Sequence, residues 1–286
     1  MASLLLTLFN YPVIGHDAYV HLNWLDQFTR LRALGVEYPK WLPRSNAGYG
    51  SPAFYFYPPL VYFVASWVTM VIRVPAVELY NLSAFLATAL SVLTTNRAIT
   101  SRAYTKLGRL IGILLYSFVA YRFLDVFVRD ALSEHWALAL LPLLFVRRRD
   151  AYATSLWDAV AWGLLLLTSM PVAYLAGICI VIDIATRRAW REALPRAIGL
   201  VIGVLLTSIY LVPAVMMRPM IQTEHLWDLA MNTSAYGNAL IDLAMLGDLE
   251  NALIDPADRD FHIPDSIPLL KAAYDKYELP VLSMDA

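Results

Sequence analysis

Apolar residues in this chain fall into runs, and the runs recur at intervals that fit membrane helices. A short one, Ala2 to Phe9, is followed by Phe56–Ile72, Val77–Thr94, Leu107–Tyr121, His135–Val146, Leu156–Thr168 with Pro171–Ile184, and Ala197–Val215. Counting the pair as two gives about eight candidate spans, several of them short against the ~20 residues that a bilayer needs. The first run is the shortest, so a longer first span than Ala2 to Phe9 is expected. The pattern predicts an all-α, polytopic membrane protein.

Polar positions break this pattern most sharply between Ile14 and Tyr57. His16, Asp17, His21, Asp26, Arg30, Arg32, Glu37, Lys40 and Arg44 crowd into that stretch, and each charge would cost about 2.5 kcal/mol or more at the centre of a lipid-embedded helix. The stretch is therefore expected outside the hydrocarbon, as a loop at one membrane face. Within it Asp17, His21, Trp24 and Phe28 share one side at helical spacing, with Leu22, Leu25, Leu31 and Leu34 on an adjoining one. This predicts an interfacial helix stopped at Gly35, with Arg30 and Arg32 near its negative end. Tyr38 to Arg44 then brings rings and cations that suit the headgroup layer, and NAGYGSP marks turns.

Basic residues cluster at Arg97–Arg109, at Arg147-Arg148-Arg149 and at Arg187–Arg196. The positive-inside rule puts all three in the cytoplasm, and the loops around Arg122–Ser133 and Ser169-Met170-Pro171 outside. One conflict follows. Two apparent spans separate the Ile14–Tyr57 loop from the Arg97 cluster and would bring both to the same side, so either one span is not a full crossing or one loop defies the rule.

Composition agrees with the pattern: hydrophobic residues make up 59% and charged ones 16%, and the mean hydropathy is +0.55, which excludes an ordinary soluble domain. The net charge of −1 hides a division, because through Pro213 there are 18 Lys and Arg against 11 Asp and Glu, and from Ala214 onward 4 against 12. The expected organisation is a membrane-embedded helical domain over 1–215 and an acidic extramembrane tail over 216–286. The tail has a helix-like stretch at Thr223–Ile254, and its abrupt end is compatible with a larger protein. In the tail Asp255, Asp258, Asp260, His262 and Asp265 match no calcium loop and read as a solvated acidic stretch. The single cysteine, Cys179, excludes an intrachain disulfide. No Walker lysine motif, dinucleotide fingerprint, HExxH or CxxC is present, and nothing points to a nucleic-acid partner.

The runs GHDAYVHLNWLDQF and YPKWLPRSNAGYGSPAFYFYPPLVY, with Arg129-Asp130-Ala131-Leu132-Ser133-Glu134, Pro142-Leu143 and Ile209 to Ala214 downstream, carry a resemblance over about residues 10–215. They resemble the integral membrane family labelled "6-pyruvoyl-tetrahydropterin synthase-related", which is similar in layout to multi-span glycosyltransferases of the GT-C type. The chain departs from that pattern at Met170-Pro171, where a histidine is expected before the proline, and at Val215-Met216, where an acid is expected. The resemblance implies an inverting transfer of a sugar from a polyprenyl-phosphate donor to a lipid or protein acceptor at the extracytoplasmic face, with membrane lipids around the donor tail. It implies Asp17 as general base or ligand of a divalent metal ion, magnesium or manganese.

Each candidate residue also has a plainer reading. Asp17 suits the N-cap of the interfacial helix. His21, a candidate substrate contact one turn on, suits a headgroup contact. Arg129 could grip donor phosphate while Asp130 and Glu134 complete a metal site with Asp17; alternatively these are a cap and a local ion pair at a span's mouth, with Asp125 joining Arg129 at i,i+4. Arg44, beside Lys40, could steer phosphate or anchor the interface. A non-catalytic lipid-binding or transport-type protein is the alternative to the transferase.

Overall fold

The computed structural model describes residues 17–46, 48–102, 105–148 and 150–220. The first apolar run, the Thr223–Ile254 stretch and the acidic tail lie outside these residues. The chain divides into two compact units, 1–219 and 220–286, a few residues beyond the expected boundary. The helices of the first unit are α1 (Ala18–Ala33), α2 (Ala53–Phe56), α3 (Leu60–Val71), α4 (Ala76–Thr100), α5 (Lys106–Ser117) and α6 (Ala120–Leu124). A π-helical turn, Asp125–Arg129, continues α6. Next come α7 (Leu132–Leu140), which tightens into a 3-10 turn over Leu141–Phe145, α8 (Ala151–Leu166), α9 (Met170–Arg187), α10 (Ala193–Leu206) and α11 (Ser208–Met217). Among the described residues the strand-like pairing is one isolated bridge, Leu42 with Ser51.

The protein is all-helical here, as expected, and its apolar runs are helices, but fewer of them are long enough to span than the run count suggests. Among the described residues three are long and apolar enough to cross a membrane: Ala76–Thr100, Lys106–Arg129 and Met170–Arg187. A fourth forms if Trp190–Leu206 and Ser208–Met220, bent by 69°, count together. Helix α3 has 12 residues, a rise of about 18 Å against a hydrocarbon thickness of about 30 Å. It lies with Val64, Ala65 and Val68 against Leu79 to Leu86, the first third of α4.

The bundle turns its apolar residues outward and many polar ones inward. Leu107, Leu114 and Leu115 of α5, Tyr174 and Val181 of α9, and Val201 and Leu205 of α10 are exposed, while Ser83, Ser91, Thr94, Arg122, His135 and Asp158 are buried. That distribution suits a lipid surround, where helices associate through small and polar side chains rather than a hydrophobic drive. Helix α4 illustrates it with a stripe of small and polar residues toward α7. Trp136 Nε1 donates to Ser83 Oγ at 2.9 Å, and Thr94 Oγ1 donates to the Ala139 carbonyl at 2.6 Å.

Helices α8 and α10 pack still closer. A Cβ added at Gly203 would sit 2.6 Å from Trp162 Cβ and 3.0 Å from the Ala159 carbonyl, and one at Gly199 would sit 2.8 Å from the Ser155 carbonyl. Glycines four apart thus let two backbones touch.

Contacts between loops sort the bundle into two ends. At one, the Arg147 amide donates to Ser101 Oγ at 3.0 Å, Arg102 Nε donates to the Phe145 carbonyl at 3.4 Å, Arg102 pairs with Asp183 at 3.7 Å, and Arg196 Nη1 donates to the Leu144 carbonyl at 2.9 Å. All three basic clusters meet there. At the other end the Asp17 amide donates to the Arg129 carbonyl at 2.9 Å, and the Tyr80 hydroxyl donates to the Asp130 carbonyl at 3.0 Å.

Replacing Gly203 by valine is expected to force α8 and α10 apart and to cost about 1–3 kcal/mol of stability. A melting temperature of the Gly203→Val protein in detergent, compared with an outward-facing Val201→Ala control, checks this.

Candidate functional site

The candidate residues from the 129–134 block are presented by a distorted stretch of backbone. The helix that begins at Lys106 widens into the π-helical turn, then reverses at Asp130, whose φ of 55° and ψ of 35° are left-handed. π-bulges recur at functional sites, and a non-glycine residue in this region carries strain that its surroundings must hold. Asp130 is held: its carbonyl accepts from Tyr80, and Tyr80 also reaches its Oδ1 at 3.4 Å. Asp130 is buried.

Arg129 sits at the centre of a polar knot. Its Nη1 donates to Glu134 Oε2 at 2.8 Å, to the Tyr121 hydroxyl at 2.9 Å and to Asp125 Oδ1 at 3.4 Å. The Tyr121 hydroxyl donates in turn to Glu134 Oε1. The ion-pair reading of this block is therefore what the side chains do. Asp125 is fully buried, and its second oxygen, Oδ2, has no hydrogen-bond partner among the described residues.

Asp17 stands at the N-cap of α1, yet its side chain makes no capping hydrogen bond. Its amide is spent on the Arg129 carbonyl, which fixes the start of α1 against the π-helical turn. The carboxylate is half-buried and forms no hydrogen bond or ion pair among the described residues. Tyr57 registers its neighbours: burial pushes this phenol up to about 12, and the charges of Asp17, Glu134 and Asp125 add to the rise. Three carboxylates thus lie within electrostatic reach of one hydroxyl.

His21 lies one turn beyond Asp17 but faces the core. Its Nδ1 shares a 2.6 Å hydrogen bond with the Tyr62 hydroxyl, and the rings of Trp24, Tyr57 and Tyr62 stand around it at 6.0 to 6.3 Å. Burial lowers its pKa to about 4. It is a neutral core histidine, neither a headgroup contact nor an open substrate ligand, because α3 packs over this face of α1.

Arg44 is exposed, on the turn closed by the Leu42 and Ser51 bridge, and forms no ion pair among the described residues. Its amide donates to Gln27 Oε1 at 2.8 Å, which ties the turn to α1. Gly50, at φ +85°, closes the turn because the Trp41 ring occupies the place of a side chain.

The structure therefore brings Asp17, Arg129, Asp130 and Glu134 to one end of the bundle and leaves His21 and Arg44 with structural contacts. Among the described residues no group of three or more His, Cys, Asp or Glu side chains is arranged to hold a metal ion. Asp17, Asp130 and Glu134 do not form the expected ligand set, since Asp130 is turned to Tyr80 and Glu134 to Arg129. Sequence reasoning missed Tyr57 and Tyr121, which carry no motif. It also missed Arg122, buried with Nη1 donating to Ser91 Oγ at 2.7 Å; a cation bordering an apolar run was the signal available.

His21 makes a testable contribution to acid stability. Its folded pKa lies below the ordinary 6.5, so the unfolded chain binds the proton first, and stability falls as pH drops from about 6.5 toward 4. The loss of melting temperature across that window is expected to be smaller in His21→Gln than in the parent.

Comparison of the chain with protein-family models, with curated proteins and with solved structures gives no match in any of the three.

Proposed function

We propose that this chain is a multi-pass membrane transferase of the GT-C-like kind, moving a sugar from a polyprenyl-phosphate donor to a hydroxyl of a lipid or protein acceptor. The observation that supports the reading is the Asp17 carboxylate, half-buried, unpaired among the described residues and fixed by its amide beside Arg129. A hydroxyl is a poor nucleophile near neutral pH. Asp17 takes its proton as the oxygen attacks the anomeric carbon, and the bond to the donor phosphate breaks with its electron pair going to phosphate. Attack from the opposite face inverts the centre.

The departing phosphate needs a positive partner. Arg129 is the cation at hand, and the solvent that reaches its guanidinium and the Glu134 carboxylate, 37% and 22% exposed, leaves room for phosphate to replace Glu134. A divalent ion carries no step in this reading, because the described acids do not gather around one.

For topology we take the acidic end as extracytoplasmic and the basic end as cytoplasmic. Of the roughly eight apolar runs, α3 stops short of crossing. That removes the parity conflict: the loop before α3 and the start of α4 share one face, and α4 alone carries the chain to the Arg97 cluster.

One observation favours the second reading, a lipid-binding protein without catalysis: Arg129 is already neutralised by Glu134 and Asp125. The two readings separate in one experiment. Protein reconstituted with polyprenyl-phosphate sugars is expected to transfer sugar, with Asp17→Asn lowering the rate by about 10²–10⁴ and leaving donor binding intact. Unchanged transfer in that variant removes Asp17 from the chemistry, and donor binding with no transfer in the parent selects the second reading.

Topology has its own check. In a Cys179→Ala background, cysteines at Tyr49 and at Arg188, both exposed, are expected to react with an impermeant maleimide from opposite sides of sealed vesicles.

A further inference from the structure

The basic end holds more positive charge than its own carboxylates neutralise. Asp183 is bound by Arg187 and Arg102, Glu192 by Arg187 and Arg196, and Asp158 by Arg196. Asp150 caps α8 through the Ala153 amide. Arg97, Arg147 and Arg148 form no ion pair among the described residues; the bond between Arg147 and Ser101 and that between Arg102 and Phe145 join the end of α4, which carries Arg97, to the stretch that carries Arg147 and Arg148. Arg148 is fixed in place, with its guanidinium carbon 3.8 Å from the centre of the Trp157 ring, and the Trp157 ring nitrogen is itself anchored on the Leu143 carbonyl at 2.8 Å. Burial first, and the charge of Arg97 second, push the Arg148 pKa down. The charge of Asp158, itself bound to Arg196, offsets the opposition of Arg97 and Arg148 only in part. In the same place Arg102 Nη2 is buried without a hydrogen-bond partner among the described residues.

What adjoins this charge is apolar and open. Leu93 lies one helical turn before Arg97 on the same face of α4 and is 64% exposed, and Leu110 and Leu114, one turn apart on α5, are exposed as well. An anion with a hydrocarbon tail meets both features, whereas a free anion meets only the first.

We propose that the junction of the α4–α5 and α7–α8 loops is a binding site for one anionic phospholipid, its headgroup phosphate between Arg97 and Arg148 and an acyl chain along Leu93. Basic pockets between helix ends at the cytoplasmic surface select acidic headgroups in this way, and an arginine whose guanidinium is held over an indole ring by cation–π attraction has N–H donors to offer phosphate oxygens. The site is separate from the Asp17 end and does not depend on the transferase reading.

The test uses the full chain in detergent with equal amounts of phosphatidylglycerol and phosphatidylcholine, and native mass spectrometry reads the lipid retained. Preferential retention of phosphatidylglycerol is expected, weakened roughly 30-fold in the Arg97→Gln/Arg148→Gln double variant, which loses two headgroup cations. Arg188→Gln/Arg191→Gln, which removes as much charge from the same end, is expected to keep the preference. Equal retention of the two lipids by the parent overturns the proposal, and so does an equal loss in both double variants, which reports diffuse surface charge. Phenylglyoxal mapping of the parent protein needs no variant. Phosphatidylglycerol is expected to shield Arg97 and Arg148 where phosphatidylcholine does not, and equal modification in both lipids sinks the site.

Discussion

A polar group inside a bundle that presents leucine and valine to its surroundings has no water to fall back on, and this constraint orders the protein. Burying a hydroxyl or amide there without a partner is costly, and a partner on another helix meets the cost for several of them. Helix α4 meets the demand with Ser83, Ser91 and Thr94, bound to Trp136, Arg122 and the Ala139 carbonyl. These contacts hold α4 to α7 and to the end of α6 over several turns. Small side chains at Ala84, Ala87 and Ala98 keep the helices near enough for such short bonds.

The same demand explains why the acidic end tolerates strained backbone. A regular helix through residue 130 would direct Asp125 and Asp130 to different faces, whereas the widened turn and the left-handed Asp130 leave both buried. The strain, of order 1–3 kcal/mol at such positions, is opposed by the bond from Tyr80 and by the amide of Asp17, which closes on the carbonyl just before the reversal. Asp17 therefore has two parts to play. Its backbone completes the turn, and its side chain makes no hydrogen bond or ion pair among the described residues.

Much of this was legible in the sequence, and the failures have physical causes. Apolar runs announced the helices because an outward apolar face leaves a long, one-sided signal, but run length overstated α3, since Phe56 ends the separate short helix α2 and Tyr57 and Ile72 are already extended. The period-3.6 pattern correctly put Asp17 and His21 near one another on α1. It could not foresee that Tyr62, 41 residues later, would cover His21. The cap position of Asp17 was readable, while the missing cap bond was not, because it depends on where the Arg129 carbonyl lies. The pairing of Arg129 with Asp125 follows from spacing alone, and its second bond to Glu134 requires the reversal at Asp130. Gly199 and Gly203 carried a readable spacing whose meaning depends on the facing helix.

The two ends of the bundle pose opposite electrostatic problems. At the acidic end the described charges are Asp17, Asp125, Asp130 and Glu134 against Arg129, with Arg122 farther inside, so on the proposed transferase reading a donor phosphate is repelled unless Arg129 is released from Glu134. Exchange of one carboxylate for one phosphate leaves the charge on Arg129 matched and frees Glu134 to swing toward solvent. The Tyr121 hydroxyl, bound to both Arg129 and Glu134, is placed to follow either partner. An anion that enters in this way does so at the cost of a partly exposed ion pair, worth little in itself, whereas breaking the link to buried Asp125 would strand a charge without water. On that reading Glu134 is the partner that yields, and Asp125 the one that keeps Arg129 in place while the Asp17 carboxylate has no hydrogen bond or ion pair among the described residues.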